Sequence, residues 1–177
     1  VAVSLGPGFY TGLRIGVSTA KGLCYALDIP LIAILTLKSM ANGARDRIKE
    51  NSKSYREKVL LCPMIDARRM EVYSALYDTG LKEIQPASAK IIDQKSFSDY
   101  LRENCVYFFG NGASKCRDAL ETWPNARFLD DFIPSARFMI SLAQEKYNLK
   151  IFEDLAYFEP FYLKDFIAGK PKVKGLL

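Results

Sequence analysis

The sequence has no histidine and a single tryptophan in 177 residues. Lack of imidazole removes Ser-His-Asp and Cys-His catalysis, histidine metal sites and histidine general bases from the chemistry this sequence can supply. Long apolar runs are missing as well. The longest, Ile29 to Leu37, falls well short of the roughly 18 residues that a membrane-spanning helix requires. The opening Val1 to Leu5 has no basic flank and runs straight into glycines, so it does not read as a signal peptide. Cys24, Cys62, Cys105 and Cys116 are widely scattered with no Cys-x-x-Cys pair, the pattern of buried thiols in a reducing cytoplasm. Neither sign of charge dominates: 25 Lys and Arg against 20 Asp and Glu leave a net +5, compatible with RNA association but too small a surplus to name a partner.

What is present is ample core material, with 49% hydrophobic residues, enough for one domain or two small lobes. The most informative stretch is Gly6-Pro7-Gly8-Phe9-Tyr10-Thr11-Gly12-Leu13-Arg14-Ile15-Gly16. A short β-branched run precedes it, and Leu13, Val17, Ala20, Cys24 and Leu27 follow at helical spacing, so the segment reads strand, glycine loop, helix. It is not a P-loop, because Gly12 is followed by Leu13 and Arg14 instead of Lys and Ser or Thr. Nor is it a dinucleotide fingerprint, since the glycines stand at 6, 8 and 12. Two readings stay open: an anion site at Gly6 and Gly8 before the helix, or a turn that the glycines permit with Thr11 as the helix cap. Gly12, Gly16 and Ala20 at steps of four form a stripe without bulky side chains, against which a second helix, of this chain or another, can pack closely.

Further along, Pro30 to Ile34 reads as a short buried strand and Thr36 as the cap of a helix through Leu37, Met40, Ala41 and Ala44. Asn51-Ser52-Lys53-Ser54 is a polar break before a new strand, Val59 to Cys62. Met70 to Tyr77 alternates and meets the turn residues Asp78-Thr79-Gly80, which predicts a hairpin. Asp93 is expected to cap a helix through Phe97 and Leu101, Val106 to Phe109 is a buried strand, Asn111 or Ser114 opens the next helix, and Pro134 is a first-turn residue of a helix through Phe138 and Leu142. Ile151 to Leu163 reads as an extended aromatic tail. Met64 and Met70 are expected in the core. There is no solenoid repeat. The alternation of strands and helices predicts an α/β architecture with mixed sheets, not separable by pattern alone from a flavodoxin-like domain.

Two clusters carry candidate chemistry. Asp66, Arg68, Arg69 and Glu71 form the densest charged group, either an anion or RNA-phosphate contact or a set of structural ion pairs. Gly110, Asn111 and Gly112 follow a strand at the position where open α/β sheets bind ligands, although a plain strand-to-helix turn uses the same residues. Basic stretches at Arg45, Arg47, Lys49, Lys53, Arg56 and Lys58, and at Lys164, Lys170, Lys172 and Lys174, read as solvated surface or as RNA contacts.

The run from Gly6 through Leu23, followed by Ala26-Leu27-Asp28-Ile29-Pro30, resembles the TsaB (YeaZ) family. So do Ile65-Asp66-Ala67-Arg68-Arg69-Met70-Glu71-Val72-Tyr73, Gly110-Asn111-Gly112-Ala113 and Glu159-Pro160-Phe161-Tyr162-Leu163-Lys164. The resemblance implies a two-lobed fold of the actin, Hsp70 and sugar-kinase (ASKHA) superfamily, with residues 1–55 in the N-terminal lobe and 56–177 in the C-terminal lobe, whose end packs back on the first. The family usually has serine where this chain has Phe9, and its leading hairpin and first helix precede the position of Val1, so the first lobe is expected to be incomplete and the chain a fragment. The implied function is a cytoplasmic, non-catalytic scaffold for N6-threonylcarbamoyl modification of the tRNA adenosine next to the anticodon. Implied partners are a TsaD-type catalytic paralogue, a TsaE-type ATPase, a second copy of the chain when alone, and tRNA through the complex, with no membrane. By resemblance the partner interface is the helix bearing Thr11, Gly12, Arg14, Gly16 and Ala20. No cofactor is expected beyond weak nucleotide binding, ATP being used by the complex. The catalytic paralogue has a His-x-x-x-His motif where this chain reads Thr36-Leu37-Lys38-Ser39-Met40-Ala41. The same superfamily also holds small-molecule kinases and a glycoprotease-like peptidase, which stand as the alternative.

Overall fold

The computed structural model describes residues 1–51 and 58–164. Lys53, Arg56, Lys170, Lys172, Lys174 and most of the polar break after Asn51 lie outside the described residues.

The first unit is a parallel pair, β1 (Ala2–Gly6) and β2 (Ile32–Leu35), joined by the long helix α1 (Tyr10–Leu27). Val17, Ala20 and Cys24 of α1 pack beneath Leu31 and Ala33 because they recur on one side of the helix. The helix starts two residues earlier than expected. Phe9 stands at its N-cap without a side-chain cap bond, so Thr11 lies inside the first turn and does not cap it. Helix α2 (Thr36–Asn51) follows β2 directly, and Thr36 Oγ1 pairs with Ser4 Oγ at 2.6 Å, tying the helix to β1.

The second unit is a five-stranded sheet formed by β3 (Val59–Asp66), β4 (Glu71–Asp78), β5 (Glu83–Ile91), β6 (Cys105–Phe109) and β7 (Ala126–Leu129), in the order β5-β4-β3-β6-β7. The β3–β4 and β4–β5 pairs are antiparallel, while β3–β6 and β6–β7 are parallel. Both faces are covered, which explains why β3 and β6 are nearly continuous apolar runs. On one face α2 inserts Leu37, Met40, Ala41, Ala44 and Ile48 against Leu61, Tyr77 and Phe109, and Leu142 of α5 (Ile140–Asn148) joins them. On the other face Cys62, Met64, Leu76 and Phe108 meet the short helices α3 (Ser98–Leu101) and α4 (Arg117–Leu120) through Leu101 and Leu120. The four cysteines are buried free thiols, and burial raises the Cys62 and Cys116 thiols above their ordinary range.

Several local expectations change. Asp93 does not cap a helix; its carboxylate accepts from Lys95 N and Ser96 Oγ in a turn, and Phe97, in left-handed backbone, opens a single helical turn. Pro134 lies outside the helix it was expected to start. Ser135 caps the turn Ala136–Met139 that leads into α5. Met70 is 52% exposed at a hairpin turn and not core, whereas Met64 is fully buried.

From α5 the chain returns to the first unit. Glu153 N donates to Leu31 O, Phe161 N donates to Leu5 O, and Lys21 Nζ reaches the carbonyls of Ala156 and Phe158. Phe158 and Leu155 complete the core beneath β1 and β2.

Candidate functional site

The two candidate clusters, 45 residues apart in sequence, form one site at the carboxyl ends of β3 and β6. Asn111 Oδ1 accepts from Asp66 N at 3.0 Å, and Gly112 N donates to Met64 O at 3.1 Å. Lys115, which the sequence reading did not single out, is the keystone. Its ammonium donates to Asp66 Oδ1 at 2.6 Å, Arg69 O at 2.8 Å and Glu71 O at 2.7 Å, using all three of its protons. Arg68 and Arg69 occupy left-handed backbone, φ 70° and 51°, so the segment is a turn and both side chains emerge exposed at its apex. Nothing local marks Lys115 in the sequence, since its role depends on the approach of two loops.

Lys115 together with the Arg68 backbone N–H holds the Asp66 carboxyl below the ordinary carboxylate range. A carboxyl with a depressed folded-state pKa adds stability above its unfolded value, near 3.9, and loses it as pH falls through the folded value. The pair is half-exposed, so the gain is modest, under about 1 kcal/mol. Lys115→Met should cost roughly 1–3 kcal/mol in urea titration at neutral pH, because two carbonyls and a carboxylate lose their donor. The variant should also lose less stability than the wild type between pH 5 and pH 3. An unchanged neutral midpoint would show the ammonium to be dispensable.

The glycines have packing reasons. Gly110 has φ +97°, and a Cβ there would stand 2.4 Å from Met64 O; at Gly112 it would stand 2.9 Å from Ile65 C. Beyond the carboxyl ends of β6 and β7 a cleft of about 230 Å³ is bordered by Gly110, Asn111, Ser114, Arg117 and Asp130. Arg117 pairs with Asp130 and lies 4.4 Å over the Phe128 ring, so its charge is already engaged.

The glycine loop before α1 is closed by the chain's own tail. A Cβ on Gly6, φ +123°, would fall 2.5 Å from Phe161 O, whereas one on Gly8 would meet the Leu13 side chain at an ordinary 3.6 Å. The hollow left among Pro7, Gly8, Tyr10, Tyr162 and Lys164 measures about 50 Å³. That is far below the roughly 300–1,000 Å³ of small-molecule pockets.

On α1 the expected stripe turns with the helix. Successive steps of four drift around the axis, so Ala20 is 5% exposed and belongs to the core under the sheet, while Thr11, Gly12 and Arg14 are exposed. Among the described residues a Cβ at Gly16 or Gly22 would meet nothing within 4 Å, and Ile15 and Leu23 beside them are 63% and 47% exposed. The open face of α1 is therefore apolar and low in relief. No described helix is long and apolar enough to cross a membrane.

Residues 1–168 match the family model described as TsaD: tRNA N6-adenosine threonylcarbamoyltransferase. The chain is 42% identical over 125 residues to the tRNA threonylcarbamoyladenosine biosynthesis protein TsaB of Bacillus subtilis, covering 68% of this chain and 50% of that protein. It is 28% identical over 181 residues to the TsaB protein of Haemophilus influenzae, covering 96% of this chain and 72% of the other. Thus the chain spans about half the length of the Bacillus subtilis relative. Among solved structures, YeaZ from Pseudomonas aeruginosa superposes with a TM-score of 0.73 at 22% identity, over 92% of this chain and 73% of that one. That likeness shows a shared α/β fold with mixed sheets. With the family model spanning nearly its whole length and TsaB-named proteins among its relatives, the chain belongs to the TsaB (YeaZ) family.

Proposed function

We propose that the chain is a non-catalytic docking subunit for N6-threonylcarbamoyl modification of the tRNA adenosine next to the anticodon. Its partner across α1 is a TsaD-type catalytic paralogue, or a second copy of the chain when that is missing, and a TsaE-type ATPase joins the pair. The observation that carries this reading is the open face of α1, where a Cβ on Gly16 or Gly22 would meet nothing within 4 Å among the described residues, beside exposed Ile15 and Leu23. Glycine inside a helix costs roughly 1 kcal/mol relative to alanine, and no contact among the described residues offsets it at Gly16 or Gly22. Close approach of a partner helix does. The closed glycine loop supports a scaffold over an independent kinase, because the tail occupies the space a phosphate would need.

Gly16→Leu separates assembly from folding. The added side chain enters open space, so thermal stability should hold or rise, by about 0.5–1 kcal/mol from helix propensity. Association with the paralogue, followed by sedimentation velocity, should weaken at least about tenfold, since a leucine blocks close helix approach. Retention of both the homodimer and the mixed pair at wild-type affinity would overturn the docking assignment.

A further inference from the structure

The charged cluster at the β3–β4 turn divides into residues that the fold consumes and residues that it leaves free. Asp66 and Glu71 are each neutralised, by Lys115 and by Lys164 respectively. Arg68 and Arg69 are exposed, and their side chains make no hydrogen bond or ion pair among the described residues. Their backbone is fixed all the same: Arg69 O is held by Lys115 Nζ and Arg68 O by Glu71 N. Two guanidinium groups are thus presented from a pinned turn with no acid beside them left unpaired.

The same Lys164 that neutralises Glu71 carries the turn across to the first unit. Two residues earlier, Tyr162 packs its ring on Tyr10 at 4.9 Å between centroids and accepts a hydrogen bond from Arg14 Nε at 3.3 Å. The Arg14 guanidinium lies 4.2 Å over the Tyr10 ring. Tyr10, Tyr73, Tyr162 and Lys164 line one shallow hollow, and the Lys164–Glu71 pair ties it to the first residue of β4, two positions after Arg69.

We infer that this junction, built from Arg68, Arg69, Arg14, Tyr10 and Tyr162, is a direct contact for an unpaired stretch of RNA; the inference rests on the proposed part in tRNA modification. Guanidinium forks match phosphate oxygens bidentately, and tyrosine faces take stacked bases without regard to sequence. Looped RNA offers both features together, splayed bases beside a bending backbone. An acidic protein segment would use the arginines but would have no need of the flat rings. The acid-to-lysine pairing matters because it leaves a positive excess at this point on a chain whose overall surplus is only +5.

The test uses the chain paired with its catalytic paralogue and a fluorescein-labelled, unmodified tRNA transcript, titrated by anisotropy from about 0.05 to 0.3 M salt. Arg68→Asn/Arg69→Asn is the informative double variant, because asparagine tolerates the left-handed backbone at both positions. It should bind on the order of tenfold more weakly at about 0.1 M salt, with a slope of log affinity against log salt shallower by roughly 1.4–1.8, two phosphate contacts' worth. Tyr162→Ala should weaken binding with the salt slope unchanged, and Tyr162→Trp should restore it. Wild-type affinity and slope in the arginine variant would overturn the contact while leaving the docking reading intact. Failure of the wild-type pair to bind tRNA at all would sink both. Loss of the ATPase subunit with tRNA affinity retained would identify the surface as a protein contact and reject the RNA assignment.

Discussion

Gly110→Ala should destabilise the protein by about 3–5 kcal/mol, a large share of the roughly 5–15 kcal/mol that holds a typical domain together. Two independent terms add. The backbone at Gly110 has φ +97°, outside the regions open to a residue with a Cβ, which costs roughly 1–3 kcal/mol. The new methyl would also stand 2.4 Å from Met64 O and 2.6 Å from Met40 Cε, and overpacking of that kind costs about 1–3 kcal/mol more. The methionine end can swing aside, but the carbonyl cannot. Met64 lies in the central strand β3, and its oxygen already accepts from Gly112 N. Urea unfolding at neutral pH measures the effect, and a loss under about 1 kcal/mol would mean that the loop relaxes freely. With Gly16→Leu expected to be harmless to folding, the two substitutions sort this chain's glycines into those required by the fold and those that wait for a partner.

That sorting marks the boundary of what the sequence showed. Strand, loop and α1 were legible because apolar spacing and glycines are local signals, and β3 and β6 because strands buried on both faces read as unbroken apolar runs. Strand β7 was not. Its Ala126-Arg127-Phe128-Leu129 is short, contains an arginine, and is recruited by pairing with β6. Met70 looked like core material because residue type says nothing of a turn whose left-handed backbone points it outward. Ala20 looked like part of an outer stripe because steps of four ignore the helix drift that carries it under β1 and β2. The site followed the same rule. Each half was visible as a cluster, Asp66 to Glu71 and Gly110 to Gly112, yet their union through Asn111 and Lys115 depends on parallel pairing of strands far apart in the chain. The closure of the glycine loop by Phe161 is likewise a long-range contact, and it reverses what the glycines suggest when read alone.

Leu37→Ala should cost roughly 3–5 kcal/mol and should do so for the whole chain at once. Leu37 is completely buried where α2 leaves β2, and its cluster holds Ile32 and Ile34 of the first unit together with Leu61, Tyr77 and Phe109 of the second. Removing its side chain leaves a cavity that neither sheet can close alone, which puts the loss at the upper end for buried leucines. Shared packing of this kind couples the two units even though, among the described residues, no strand of one sheet pairs with a strand of the other. The single tryptophan, Trp123, makes the coupling measurable. It packs beside the opposite face of the five-stranded sheet, and its indole N–H donates to Gln94 O, far from α2 in the layering of the fold. In the wild type, Trp123 fluorescence and far-ultraviolet circular dichroism should therefore report one coincident urea transition, and in Leu37→Ala both midpoints should fall together. If fluorescence kept its midpoint while the dichroism transition moved or split, the second sheet would be folding without the first. The division at residue 55 would then mark independently stable lobes, and α2 would be a tether between them instead of shared core.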